Sequence, residues 1–131
     1  MGKNVIEIEN VSRSFPVPEG EFWALKKINA VIPESSFVIL KGRSGSGKTT
    51  LMNLVGTLDK PTEGRILIDG VDADKMSDYE KENLRRKNFG FVFQSVSLLP
   101  SLNAFQNVEF SMRMAGVKPG KVRDRRVEEC L

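Results

Sequence analysis

Residues 42–49 read G-R-S-G-S-G-K-T, a glycine-rich run that ends in a lysine and a hydroxyl side chain. Glycines at 42, 45 and 47 allow backbone angles and a closeness of approach that side chains obstruct. Successive N–H groups can therefore turn inward toward an anion. A helix that begins where the run ends adds the positive end of its dipole. Lys48 is placed to reach β and γ phosphates as a mobile charge, Thr49 to put its hydroxyl on Mg²⁺, and Thr50 to add a contact to the α phosphate. The spacing G-x-x-x-x-G-K-[ST] is met in full. The competing reading is a glycine-rich turn with no ligand, and the flanking elements decide between the two.

Those elements have the order that a phosphate cradle needs. Residues 37–41 (F-V-I-L-K) are short, apolar and partly β-branched, which suits a strand covered on both faces. Beyond the glycines, Leu51, Leu54, Val55 and Leu58 recur at i, i+3, i+4 and i+7, the spacing of a helix with one buried side. The unit is strand, loop, helix. Upstream, residues 5–11 alternate as a half-buried strand does, P-V-P-E-G at 16–20 reads as a loop, and 23–32 as a second strand before the turn-like P-E-S-S at 33–36. An antiparallel β layer is expected there.

Downstream, residues 64–72 read as a strand closed by a turn at Asp69 and Gly70. Ser77 and Glu80 form an S-x-x-E capping box that opens a charged, exposed helix to about residue 87. Residues 89–93 are predicted as another short apolar strand, ending at Gln94. Residues 103–115 fit both periods: Val108, Phe110, Met112 and Met114 alternate, while Phe105, Val108, Met112 and Ala115 fit a helix, which the length favours. K-P-G at 118–120 ends it, and a polar helix follows.

The composition narrows the function further. A chain of 131 residues, 40% hydrophobic and 28% charged, is sized and composed as one soluble globular domain. No uninterrupted apolar run exceeds four residues, against the roughly 20 that a spanning helix requires. The opening M-G-K-N-V-I-E-I-E has no apolar signal segment, so a cytosolic location is expected. The single cysteine, Cys130, forms neither an internal disulfide nor a metal site by itself, and the absence of histidine excludes histidine-based catalysis within the chain. The net charge of +3 comes partly from Lys81, Arg85, Arg86 and Lys87 and from the run 118–126. Nucleic acid is one partner for such clusters. Glu80, Glu82, Asp124, Glu128 and Glu129 are interleaved with them, which favours solvated helix faces and no nucleic-acid partner.

The run F-V-I-L-K-G-R-S-G-S-G-K-T-T-L-M-N-L-V-G-T-L-D-K-P-T-E-G-R-I-L-I-D-G resembles the ATP-binding cassette family, in which a near-identical run precedes a D-x-P-T-x-G turn. R-R-K-N-F-G-F-V-F-Q at 85–94 resembles the approach to that family's Q-loop, and S-L-L-P-S-L-N-A-F-Q-N-V-E-F at 97–110 is similar to subunits of the macrolide-exporter and lipoprotein-release type. The resemblance runs from about residue 5 to the end.

It implies an α/β fold, a P-loop NTPase core with an N-terminal antiparallel β layer. The β layer and phosphate loop (Walker A) would occupy about 1–75, and the Q-loop and the start of a helical subdomain about 76–131. It also implies that Gly42, Arg43, Ser44, Gly45, Ser46, Gly47, Lys48, Thr49 and Thr50 hold the phosphates of ATP. Gln94 would touch Mg²⁺ or the attacking water, beside Thr49 on the metal, and Phe15 would stack on adenine. A tyrosine is common at the Phe15 position, and a lone aromatic near a strand end also serves core packing. Arg43 stands where the family often has proline. Leu98, Leu99, Leu102 and Phe105 would either face a membrane-embedded partner or form the core of the helical subdomain.

Members of the family continue with an L-S-G-G-Q signature, an apolar strand ending in Asp-Glu and a switch histidine, none of which occurs here. I-L-I-D at 66–69 imitates that strand, but Gly70 after it fits a hairpin turn better. Lys48 and Mg²⁺ then have no matching activation of water, so the chain alone is expected to bind ATP without turning it over. In the whole protein the resemblance implies a cytoplasmic ATPase, dimeric with a second subunit, held on the inner face of the membrane by a permease. Strand 37–41 would be left with open edges, inviting aggregation or pairing with another copy. Two rivals remain at this point, a stand-alone phosphate-loop kinase or GTPase and a non-catalytic interaction module. N-K-x-D for guanine does not occur.

Overall fold

The computed structural model describes residues 2–95 and 97–131, in two compact units divided between Glu82 and Asn83. In the first unit, strands β1 (Asn4–Val17), β2 (Gly20–Pro33), β3 (Glu63–Ile68) and β4 (Val71–Asp72) form one antiparallel sheet in the order β2-β1-β3-β4. Helix α1 (Lys48–Val55) belongs to the same unit. Ile8, Val11, Leu25, Ile66 and Ile68 of the sheet and Leu54 and Val55 of α1 are its buried apolar side chains, with Ala73.

The expected β layer is present, with longer strands. Val17 pairs with Gly20, so the loop expected at 16–20 shrinks to Pro18 and Glu19. Alternation beyond residue 11 is hidden because β1 is bulged. Its register against β2 shifts between Ile8 and Val11, again before Arg13 and again before Ser14, with Asn10 at φ 49°. Each extra residue moves the two-residue period to the other face. The turn after β3 is as expected: Asp69 and Gly70 have φ of 50° and 80°, the pair of left-handed residues that a tight hairpin of the primed type requires. The Asp69 carboxylate pairs with Lys3 Nζ at 2.8 Å, and this bond holds the Lys3 ammonium above its ordinary pKa.

Helix α1 begins at the phosphate motif and ends one turn before the sequence period suggests. Thr57 takes a left-handed φ of 57°, its N–H donates to Leu54 O at 3.1 Å, and the Leu58 N–H donates to Asn53 O at 2.9 Å. That is a Schellman closure. It leaves Leu58 outside the helix and exposed, where the i+7 reading would have buried it.

Two expected strands are absent. Residues 37–41 and 89–93 lie outside every described strand, and Phe37 is 90% exposed and Ile39 64% exposed. The reason is pairing. A strand buried on both faces is held by ladders to neighbours on both edges, whereas among the described residues the four strands of the sheet pair only with one another. In the second run, Phe89, Phe91 and Phe93 stack as a column, with centroids 6.0 and 5.7 Å apart. Val92 between them is fully exposed.

Helix α2 (Asp78–Asn88) starts at the predicted capping box. The Glu80 N–H donates to Ser77 Oγ at 3.3 Å, while the Ser77 N–H and hydroxyl each donate to Glu80 Oε2 at 2.7 Å. The backbone donor first, and the hydroxyl second, hold the Glu80 carboxyl below the usual glutamate value. A depressed carboxyl stabilises the fold above its unfolded pKa and loses that contribution as the pH falls through the folded one. The start of α2 is therefore expected to fray in acid. Ser77→Ala should raise the Glu80 pKa part of the way back, since the N–H survives, in an NMR titration of the carboxyl.

The second unit holds α3 (Ala104–Met114) and α4 (Lys121–Cys130), which pack on each other. The helical alternative for 103–115 is the observed one. It is fixed by a reciprocal cap in which the Gln106 N–H donates to Asn103 Oδ1 at 2.8 Å and the Asn103 N–H to Gln106 Oε1 at 3.0 Å. The expectation of wholly solvated basic faces fails at one position. Arg123 is buried and paired with Glu109 of α3, and Val127, one turn on, is fully buried. Among the described residues no helix is long and apolar enough to cross a membrane.

Candidate functional site

The glycine-rich loop closes around its own lysine. Lys48 Nζ donates to the carbonyls of Gly42 at 2.7 Å and Arg43 at 2.6 Å and lies 3.2 Å from Ser46 Oγ. The Ser46 N–H donates to Arg43 O at 3.2 Å and closes the turn. No side chain caps the start of α1, where Gly47 stands at φ 93° with the following amides of Lys48, Thr49 and Thr50 in the first helical turn. The arrangement is a ring of backbone around an ammonium at a helix N-terminus, which favours negative charge.

Gly47 is required by contact as well as by angle, whereas Gly42 is tight only against a serine hydroxyl that can turn away. A Cβ at Gly42 would meet Ser46 Oγ at 2.5 Å. One at Gly47 would meet Ala24 O at 2.6 Å and Leu25 Cδ2 at 2.9 Å, which shows that β2 backs the loop directly. Ser44, Gly45, Ser46 and Thr49 are exposed, and Lys48 and Thr50 are half-buried.

Phe15 lies in the same unit, in β1, opposite Phe22 of β2. It is half-buried, and the Arg13 guanidinium lies over its ring at 4.5 Å. Since Arg13 is opposite Leu25, and Leu25 touches the Gly47 position, the sheet carries Phe15 and the phosphate loop on adjoining stretches of β1 and β2. Gln94 belongs to the second unit, exposed, just past the phenylalanine column.

That unit also holds an open groove of about 560 Å³ between residues 97–99 and helices α3 and α4, lined by Leu98, Leu99, Val108, Phe110, Met112 and Arg126 among others. Leu98 and Leu99 are exposed, while Leu102 and Phe105 are half-buried. Asn107 shapes the groove. Its amide donates to the carbonyls of Leu99, Leu102 and Asn103 and accepts from the Leu99 N–H at 2.8 Å, fixing the segment that precedes α3.

A family model described as ABC transporter matches residues 25–131. The chain belongs to the ABC transporter family. It is 41% identical over 129 residues to the uncharacterized ABC transporter ATP-binding protein MJ0796 of Methanocaldococcus jannaschii, covering 97% of this chain and 55% of that protein. It is 45% identical over 127 residues to the macrolide export ATP-binding/permease protein MacB of Bartonella henselae, covering 97% of this chain and 19% of that protein. A dimeric, post-hydrolysis structure of the ATP-binding cassette MJ0796 bound to ADP and Pi superposes with a TM-score of 0.88 at 40% identity, over 95% of this chain and 55% of that one. The chain thus spans about 55% of the length of its stand-alone relatives.

The α/β fold expected of an ABC transporter cassette is therefore in place, and the macrolide-exporter resemblance is matched among its relatives. Sequence reading missed Arg13, Asp59 and Asn107. D-K-P-T-E-G at 59–64 served there only as a family trait, and no local spacing links Asp59 to a residue 46 positions away.

Proposed function

We propose that this chain is the nucleotide-gripping part of an ABC transporter ATPase, one portion of a single nucleotide-binding domain. The observation that carries it is the Lys48 ammonium held by the loop's own oxygens at the start of α1. The three acceptors are neutral, so a triphosphate offers the ammonium stronger, charge-assisted partners at the same place. Residues 42–50 take the phosphates of ATP, the free amides of the first helical turn aim at them, and Phe15 takes the adenine. The hydroxyl of Thr49 and the side chain of Gln94 serve Mg²⁺, which supplies charge neutralisation on the phosphates.

Water activation and a metal-holding carboxylate come from the length of the relatives that this chain does not span, so the chain alone binds without turnover. That same length supplies the strands that pair with 37–41, whose exposed apolar side chains then become interior. The whole protein closes as a dimer over ATP and pulls on a permease at the cytoplasmic face of the membrane. Its helical part, with the groove beside Leu98 and Leu99, faces that permease. That MacB joins ATP-binding and permease parts in one protein, and that the MJ0796 cassette forms a dimer, supports this reading.

Equilibrium binding of labelled ATP with Mg²⁺ is the test. Saturable binding displaced by ADP and by inorganic tripolyphosphate, and not by adenosine at equal concentration, is expected of a phosphate cradle. Binding that tripolyphosphate leaves untouched would contradict it.

A further inference from the structure

We propose that Arg13 is a positioning residue that fixes the Phe15 ring as the adenine platform, and that Asp59 ties this platform to the helix that begins at the phosphate loop. The inference rests on the reading of Phe15 as the adenine contact and deepens it.

Arg13 engages two partners in two ways. Its Nε and one terminal nitrogen donate to the two Asp59 oxygens at 2.8 and 3.1 Å, while the guanidinium carbon stands 4.5 Å from the centre of the Phe15 ring. A two-point pair with a carboxylate fixes the plane of the guanidinium, which a single contact does not. A fixed plane over an aromatic face holds the ring in turn, at a distance well inside the roughly 6 Å reach of a cation–π contact. The Arg13 and Asp59 side chains keep only 22% and 30% of their surface, so solvent competes weakly for either.

Asp59 is itself anchored. Its N–H donates to Asn53 O of α1 at 3.3 Å, and its Oδ1 accepts from the Lys60 N–H at 2.8 Å. The next residues are sewn to β1 on both sides of Arg13, since the Thr62 N–H donates to Ser12 O at 2.9 Å and the Ser14 N–H to Thr62 Oγ1 at 3.0 Å. One short covalent and hydrogen-bonded path therefore runs from Phe15 through Arg13 and Asp59 to the end of α1, and along α1 to Lys48. Base and triphosphate are bound at the two ends of that path. The cation on one face of Phe15 also draws π density away from the other, which favours an electron-rich purine there.

The test compares affinity for Mg·ATP with affinity for Mg·tripolyphosphate, which has no base, on the full-length protein. Arg13→Lys keeps the charge and loses the fork, and Asp59→Asn keeps the shape and loses the charge. Each is expected to weaken ATP about fivefold and to leave tripolyphosphate within about twofold, the scale of one cation–π contact. Phe15→Leu is the control and should show the same pattern, at least as strongly.

If Phe15→Leu leaves ATP affinity unchanged, the adenine reading itself fails. If Phe15→Leu shows the pattern and both Arg13→Lys and Asp59→Asn bind ATP as tightly as the unaltered protein, the positioning role is overturned and the adenine reading stands. Equal weakening of both ligands in these variants also overturns it, because the pair would then serve stability alone. Should Arg13→Lys fail to fold, Asp59→Asn alone decides by the same ratio.

Discussion

Lys48→Ala is expected to weaken Mg·ATP binding by about 100-fold and to leave the fold intact, the largest functional effect of any single change in the site. The ammonium makes no apolar core contact that the change would empty. Its three bonds are to oxygens of an exposed loop, which water can replace. What is lost is the charge-assisted half of the ligand's contacts, each worth about 1.5–3 kcal/mol where a charged group takes part. Isothermal titration of ATP, with unfolding followed in parallel, checks both halves of the statement. A non-catalytic interaction module would lose nothing.

Gly64→Ala is expected to carry the largest stability effect, on the order of 3 kcal/mol in denaturant unfolding. Gly64 sits at φ 80°, where a Cβ would stand 2.3 Å from Asn10 O and 2.5 Å from Glu9 O. These are backbone atoms of the bulge in β1, and β1 cannot retreat without breaking its ladders to β2 and β3. Gly70→Ala is the internal control. It has the same φ of 80° and nothing within 4 Å, so only the left-handed penalty of about 1–2 kcal/mol applies. The difference between the two variants measures the clash alone. Because Gly64 closes the D-x-P-T-x-G segment that carries Asp59, its loss should also disturb ATP binding in the protein that still folds.

How much of this was legible beforehand depends on how local each feature is. The glycine-rich turn that leads into α1 is readable because its charge and its glycines lie within nine consecutive residues. The Ser77–Glu80 capping box and the Asp69–Gly70 turn are readable for the same reason, each being settled among neighbours, while the Asn103–Gln106 cap went unread. Residues 37–41 and 89–93 were misread because composition reports what a strand buries and is silent on what it pairs with. Thr57 ended α1 early through a left-handed closure that no β-branched residue advertises. The Arg13–Asp59 fork and the buried Arg123–Glu109 pair join residues apart in the chain, and charge counting assigns Arg123 to a solvated face. The bulges of β1 hide six further residues of strand, 12–17, behind a broken alternation and place Phe15 next to the expected start of a loop.

The most direct measurement is a crystal structure of the full-length protein with Mg²⁺ and a non-hydrolysable ATP analogue. Phosphate oxygens are expected inside the ring of residues 42–49, with Lys48 Nζ turned from the carbonyls of Gly42 and Arg43 onto them. An analogue bound elsewhere, with Lys48 still on those two carbonyls, would contradict it.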